Sequence, residues 1–363
     1  MGGNALAIVG TKTKRLNKQD FELATSKVVS VLNNAILYAN STGIVSIVNS
    51  PHEIKAYRQK ETFGDLDLLV DSDLFTVYSY EQLLVDMAKE FNFNGELPFK
   101  PKEANDMTFS FGVPDINEPD TFFQIDIIGS KKEYYNFHSS YLNWNDLGNL
   151  IGVVASKTKF LKYGHDGLQY HFRDGDNLFD SVVLTRDWDE ALKMLGYDPE
   201  IYKKGFDTIE EIYKFASSST YFDPILYSFE QRNHVQRTRD RKRPTYNGFL
   251  KWIEENDSKG VFDSTKKNTP EEWKAIVYST FPWFNGYEKD TLTKFDMEKQ
   301  IKKEIKKYFN APILLQYKPK LKYEEIGTYL NHLKGLVPDL FSFVLDNQEQ
   351  SIPMLIKLSE LRS

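Results

Sequence analysis

Two short segments in which aspartate alternates with branched aliphatics constrain this chain most. In Gly64-Asp65-Leu66-Asp67-Leu68-Leu69-Val70 the acids fall two residues apart. Side chains of an extended strand leave opposite faces in turn, so Asp65 and Asp67 share one face and Leu66 and Leu68 the other. The segment Gln124-Ile125-Asp126-Ile127-Ile128 repeats the pattern, with Asp126 directed away from its isoleucine neighbours. Such strands require a sheet with an apolar face for a core and a second face that gathers carboxylates. Three carboxylates from neighbouring strands suit a divalent cation that prefers oxygen ligands. Two such ions about 3.5–4 Å apart clamp the attacking and leaving oxygens of an in-line displacement at phosphorus. A lone Asp-x-Asp is commonly the wet face of an edge strand; the third Asp and the preceding Gly64 give this group its weight.

The surrounding pattern fixes an order of elements. Residues 18–41 carry Phe21, Leu23, Val28, Val29, Leu32, Ile36 and Leu37 at amphipathic-helix spacing. Gly43 ends that helix, and Gly43–Ser50, apolar and β-branched, reads as a strand. After the polar stretch 51–64 and the Asp-x-Asp strand, a helix is expected over 81–92. A hairpin follows over 107–128, its turn at Pro114–Asp120, then a helix over 145–161. Leu168–Phe172 and Ser181–Thr185 read as a second hairpin. Beyond about residue 187 the pattern is mostly helical, with helices near 187–195, 207–217, 246–256, 270–278 and 295–309. The polar segment 257–270 reads as a loop between helices. The expected class is α+β, with a mixed-sheet domain over 1–205 and a helical domain over 206–363.

Composition removes whole classes of function. The chain of 363 residues contains no cysteine, which excludes disulfides, thiolate-ligated zinc or iron–sulfur sites and thiol catalysis. No apolar run approaches the 18 or so residues of a membrane helix, and the N-terminus lacks the pattern of a secretory signal. Gly2 is followed by Leu6 where a myristoylation motif needs Ser or Thr. The expected location is therefore cytoplasmic. Forty-six Lys and Arg against 52 Asp and Glu leave a net charge of −6, so any nucleic-acid contact must come from a local basic patch.

The order of helix, strand, polar loop, Gly-Asp-x-Asp and later third Asp resembles the nucleotidyltransferase superfamily, in particular the palm region of family X DNA polymerases. Tyr141 stands 15 residues after Asp126, and with Asn149 it matches the order of that family's Tyr-Phe-Thr-Gly-Ser segment and following Asn. Arg58 stands seven residues before Asp65, at the place of a triphosphate-contacting arginine. Lys157–Phe172 resembles the helix end, turn and strand that follow. The combination of MGGNAL, GDLDLL, NWNDLGN and KYGHDGL also resembles phage-encoded members, which would place the protein in a host cytoplasm; protein partners are left open. The resemblance implies a palm-like core over 44–200 and transfer of a nucleoside monophosphate from an NTP or dNTP to a hydroxyl, the 3′ end of DNA or RNA. It implies two Mg2+ ions, replaceable by Mn2+, on Asp65, Asp67 and Asp126. Ser50, Arg58, Lys60, Gly64, Tyr141 and Asn149 would then contact the nucleotide. Two places depart from the pattern: Asn49-Ser50 stands 15 residues before Asp65 without a Gly-Ser pair, and Tyr-Phe-Thr-Gly-Ser is replaced by Tyr141-Leu-Asn-Trp-Asn145. The N-terminal 43 residues are too few for a helix-hairpin-helix lyase domain.

Arg58 and Lys60 offer a bidentate fork and a point charge for phosphate. The densest basic run lies at 231–246, where Arg237, Arg239, Arg241, Lys242 and Arg243 suggest a nucleic-acid surface, against the alternative of a segment docked on the acidic domain. The basic stretch 299–309, with Ile301, Ile305 and Phe309 aligned, reads as an amphipathic surface helix. His165-Asp166, between two glycines, reads as a turn, the six histidines show no zinc-ligand spacing, and Met1–Asn4 follows no strand that would make it a phosphate loop. Two rivals stay open: a nucleotidyltransferase acting on tRNA, a protein or a small molecule, and a catalytically silent nucleic-acid-binding viral protein.

Overall fold

The computed structural model describes residues 5–101, 108–115, 118, 121–257 and 269–362. Met1–Asn4, most of the turn expected at 114–120 and most of the polar segment 257–270 lie outside them. The chain forms two compact units, Met1–Thr280 and Phe281–Ser363, and has the expected α+β class.

In the first unit a 3-10 turn, Ala5–Val9, precedes β1 (Leu16–Asn17) and α1 (Lys18–Ser41). Asn17 caps α1 by accepting from Asp20 N. Phe21, Val28, Leu32, Ala35 and Ala39 make its buried stripe. There follow β2 (His52–Glu53), β3 (Thr62–Phe63), β4 (Asp65–Asp71), α2 (Tyr80–Glu90), β5 (Thr108–Pro114) and β6 (Phe122–Ser130). One sheet has the order β2-β4-β6-β5, with β4 and β6 parallel and the outer pairs antiparallel. Its apolar face carries Leu66, Leu68, Val70, Phe109, Phe111, Ile125 and Ile127 into a core with α1 and α2. Burial of this kind stabilises by about 25 cal/mol per Å² of apolar surface.

The expected strand over 43–50 is absent. Asn40 takes up the backbone of Ile47 through both halves of its amide, accepting from Ile47 N at 2.8 Å and donating to Ile47 O at 2.9 Å. Those groups are thereby withdrawn from any ladder, and Ile44 and Val48 remain 73% and 71% exposed. Only the two residues of β2 extend the sheet on that side.

The polypeptide continues through α3 (Tyr135–Leu142), α4 (Leu147–Ser156) and the antiparallel sheet β7 (Leu161–Gly164), β8 (Gly167–Asp174) and β9 (Asn177–Thr185). The helices α5 (Trp188–Met194), α6 (Pro199–Lys204), α7 (Ile209–Ala216), α8 (His234–Asp240), α9 (Pro244–Asp257) and α10 (Pro270–Thr280) complete the unit. The first compact unit thus runs on to Thr280. The cause is packing. The Tyr227 hydroxyl donates to Leu150 O at 3.0 Å, and the Tyr246 hydroxyl to Tyr227 O at 2.7 Å, so the later helices are anchored on α4.

The second unit holds α11 (Phe284–Tyr308), α12 (Ala311–Tyr317), α13 (Tyr323–Lys334), α14 (Leu340–Asn347) and α15 (Ser351–Arg362) around Leu314, Leu333, Val344, Ile352 and Leu355. Phe309 is buried and Ile305 packs against this core, as the stripe in 299–309 implied.

Candidate metal centre

The carboxylates of Asp65, Asp67 and Asp126 converge. Each offers an oxygen, and these lie within 4.8 Å of one another. The convergence follows from strand register: β4 and β6 run parallel with Asp67 directly beside Asp126, and Asp65 beside Gln124. Leu66, Ile125 and Ile127 are sealed in the core on the opposite face, so a one-residue slip would bury three acids.

The electrostatics are those of a site built for a cation. Burial pushes the Asp67 carboxyl well up, the charges of Asp65 and Asp126 push it further, and Lys60 opposes them. Burial likewise raises Asp126, to about 6, against hydrogen bonds from Ser110 and Gln124 and the charge of Lys100; Asp65 adds to the rise. Gln124 Nε2 donates to Asp126 Oδ2 at 2.8 Å, and Gln124 Oε1 accepts from Ala5 N at 2.8 Å. The other oxygen, Asp126 Oδ1, is buried without a hydrogen-bond partner. A buried acceptor left bare costs about 1–3 kcal/mol or more, and a ligated cation would satisfy it. The donor set, all carboxylate oxygen, fits Mg2+ or Mn2+.

The other expected nucleotide contacts divide. Lys60 is in electrostatic reach of Asp65 and Asp67; burial pushes its ammonium down while the two carboxylates pull it up. Gly64 is buried at the entry to β4. The Arg58 side chain, in contrast, pairs with Asp207 at 2.5 Å and donates to Lys204 O, and its guanidinium lies over the Trp144 ring. Ser50 O accepts from the Tyr135 hydroxyl at 2.8 Å. Asn149 is buried beside the basic run: Arg239 Nη2 donates to its Oδ1 at 2.5 Å, and its Nδ2 approaches Asp240 Oδ1 at 3.4 Å. Tyr141 senses the charges of Arg239, Arg243 and Asp240 in the same place.

The basic run is divided: Arg232 is buried, Arg237 and Arg243 are half-buried, and Arg239, Arg241 and Lys242 are exposed. Asp240, fully buried, pairs with buried Arg232 at 3.0 Å and with Arg239 at 2.9 Å, and Arg243 pairs with Asp146. Arg237 and Arg241 lie close enough to Glu230 to help hold its carboxyl below the usual range, behind bonds from its own backbone and Ser228. Arg241 also rests 5.4 Å over the Phe229 ring, and Lys242 is exposed. Arg239 and Arg243 thus tie this segment to Asn149 and Asp146 at the start of α4, while Arg232 and Arg239 neutralise Asp240.

Sequence reasoning passed over Gln124, Ser110 and Lys100. Gln124 was open to the same alternation argument that picked out Asp126, two residues on. Ser110 and Lys100 reach the site only through the β5–β6 register, which pairs Ser110 with Asp126, and through Lys100 N donating to Ser110 O at 2.9 Å.

No protein-family model matches the chain, and no curated protein matches it. Among the described residues no helix is long and apolar enough to cross a membrane.

Proposed function

We propose that the protein is a divalent-metal-dependent nucleotidyltransferase, moving a nucleoside monophosphate from an NTP or dNTP to a hydroxyl with release of pyrophosphate. The observation that carries this reading is the convergence of three carboxylates with one buried oxygen left unsatisfied on Asp126. Asp65, Asp67 and Asp126 would hold Mg2+ or Mn2+. When bound, the ions neutralise the charge that develops on the attacking and leaving oxygens of the displacement. Asp126 would also be placed to take the proton of the attacking hydroxyl. Gln124 and Ser110 hold its carboxylate in place, and Lys60 meets negative charge arriving beside Asp65 and Asp67. In this reading the acceptor is the 3′ end of DNA or RNA.

The test is incubation with each labelled NTP and dNTP, with Mg2+ or Mn2+, and with DNA, RNA or tRNA as acceptor. Transfer should appear with one nucleotide class, release pyrophosphate in equal amount, and fall by orders of magnitude in Asp67→Asn. Absence of both transfer and pyrophosphate release across all combinations would overturn the proposal.

A further inference from the structure

A nucleoside triphosphate brings about four negative charges to such a site, and its phosphate oxygens need donors. In the loop before β4, five backbone N–H groups are committed. Lys55 N and Tyr57 N donate to the side-chain oxygens of Asn143 and Asn145, at 2.8 and 3.0 Å. Arg58 N and Gln59 N donate to Phe206 O and Asp207 O, each at 3.0 Å, and Lys60 N donates to Tyr57 O at 3.0 Å. The Arg58 side chain is engaged as well. With those donors taken, phosphate charge at this end of the sheet calls for side-chain donors.

The N-terminal segment supplies them. It runs past the ends of both acid-bearing strands: Thr13 bridges Phe122 at the start of β6, while Leu16 and Asn17 pair with Phe63 and Thr62 just before Asp65. Leu16 points into the core, so its neighbour Arg15 points out of it. Arg15 uses only Nη2 in bonds to Thr62, at 2.8 Å to the carbonyl and 3.2 Å to the hydroxyl. That fixes the guanidinium and leaves Nε and Nη1 without a partner among the described residues. Lys18, first residue of α1, donates from Nζ to Arg58 O at 3.2 Å. Lys60 lies within electrostatic reach of Arg15, Asp65 and Asp67 together, which ties this cationic corner to the carboxylates. Two further acids belong to the corner: exposed Glu61, and Asp20, whose Oδ2 accepts from Asn17 Nδ2 at 2.9 Å.

We propose that Arg15 and Lys18, with Lys60, form a side-chain clamp for the triphosphate of the nucleotide at the mouth of the carboxylate site. The inference rests on the nucleotidyltransfer reading and adds the means of substrate capture. The clamp takes over the work that backbone N–H groups of a glycine-rich turn would do.

Binding decides it. Inorganic triphosphate and the mono-, di- and triphosphates of each nucleoside are titrated calorimetrically in Mg2+ against the parent and against Arg15→Gln, Lys18→Gln and Arg15→Lys. The parent's affinity should climb with phosphate number. Each Gln variant should lose about tenfold in triphosphate affinity, roughly one charge-assisted hydrogen bond, with monophosphate binding within about twofold of the parent. Arg15→Lys should recover most of the loss. If the parent prefers triphosphate and both Gln variants bind it as the parent does, the clamp is refuted and the nucleotidyltransfer reading stands. If the parent shows no preference for triphosphate, both fall. Lys18→Gln keeps the test decisive should Arg15→Gln unfold, because the Lys18 head group touches only a carbonyl of an exposed loop.

Discussion

Replacing Asp126 by Asn should stabilise the metal-free protein while removing its response to metal. Asp126 is pushed up to about 6, roughly two units above an unfolded aspartate, and each unit is worth about 1.4 kcal/mol. The folded state therefore binds more protons than the unfolded one between about pH 4 and pH 6. Stability is lost as pH rises through that window, and by pH 7 the ionised carboxylate costs the fold about 3 kcal/mol. Asparagine removes the charge and keeps an oxygen for the Gln124 amide. At this chain size each kcal/mol moves Tm by about 2 °C, so a rise of roughly 5 °C is expected in EDTA at pH 7, shrinking toward zero at pH 4. With Mg2+ the order should reverse, since a ligand that binds only the native state stabilises by RT ln(1 + [L]/Kd), and the variant binds it weakly. The assay is thermal melting at pH 4, 5.5 and 7, with EDTA and with Mg2+. A variant that melts several degrees below the parent in EDTA at pH 7 would show that Asp126 is a structural hydrogen-bonding group, and the metal argument would fail.

Burial holds the His138 imidazole down at about 4, so the unfolded chain takes up a proton between about pH 6.5 and 4 that the native state refuses. Stability from this site, up to about 3 kcal/mol, should be lost as pH falls through that range, and a His138→Gln variant should lack that slope in urea melts. Asp240→Ala leaves Arg232 buried and unpaired; it should cost about 3–5 kcal/mol in equilibrium unfolding, whereas Lys242→Ala, on the exposed side of the same run, should cost less than about 0.5 kcal/mol. Gly205 has φ +73°, and a Cβ there would lie 2.7 Å from Arg58 Nη2 and from the Trp144 ring, so Gly205→Ala should cost about 1–3 kcal/mol of stability, measured by chemical denaturation.

The parts of the fold that local pattern dictates were legible in the sequence. Alternation in 65–71 and 122–128 gave both acid-bearing strands and the shared face of Asp65, Asp67 and Asp126, because a period of two is a property of the chain itself. The long helix 18–41 was read to the residue, since its stripe and its Asn17 cap are both local. What differed depended on side-chain contacts that carry no periodic signal. The run 43–50 has strand composition, yet Asn40 intercepts it. The arginines of 237–243 look like a free cationic row until Asp146 and Asn149 arrive from 90 or more residues away. Tyr227 and Tyr246 likewise carry no periodic signal of the carbonyls they reach.

The loop before β4 and the segment Asn143–Asn145, some 88 residues apart in sequence, are held together as one structural unit. Trp144, Asn145 and Asp146 all have positive φ, at 68°, 52° and 70°, a left-handed run without glycine that costs about 1–2 kcal/mol for the tryptophan alone. That strain is offset along the loop before β4. Trp144 N donates to Lys55 O at 2.6 Å, and the flanking Asn143 and Asn145 accept from Lys55 N and Tyr57 N. The indole also packs edge-on against Phe206 at 5.4 Å. The Asn-Trp-Asn segment thus takes up the N–H groups of Lys55 and Tyr57 and ties the loop in place. A loop held this way cannot cradle an anion with its backbone, but it can present Lys60 at a fixed place beside Asp65 and receive Lys18 on the Arg58 carbonyl. Introducing a glycine-rich turn at 55–58 alone should therefore not create a phosphate cradle while Asn143 and Asn145 still occupy the Lys55 and Tyr57 donors.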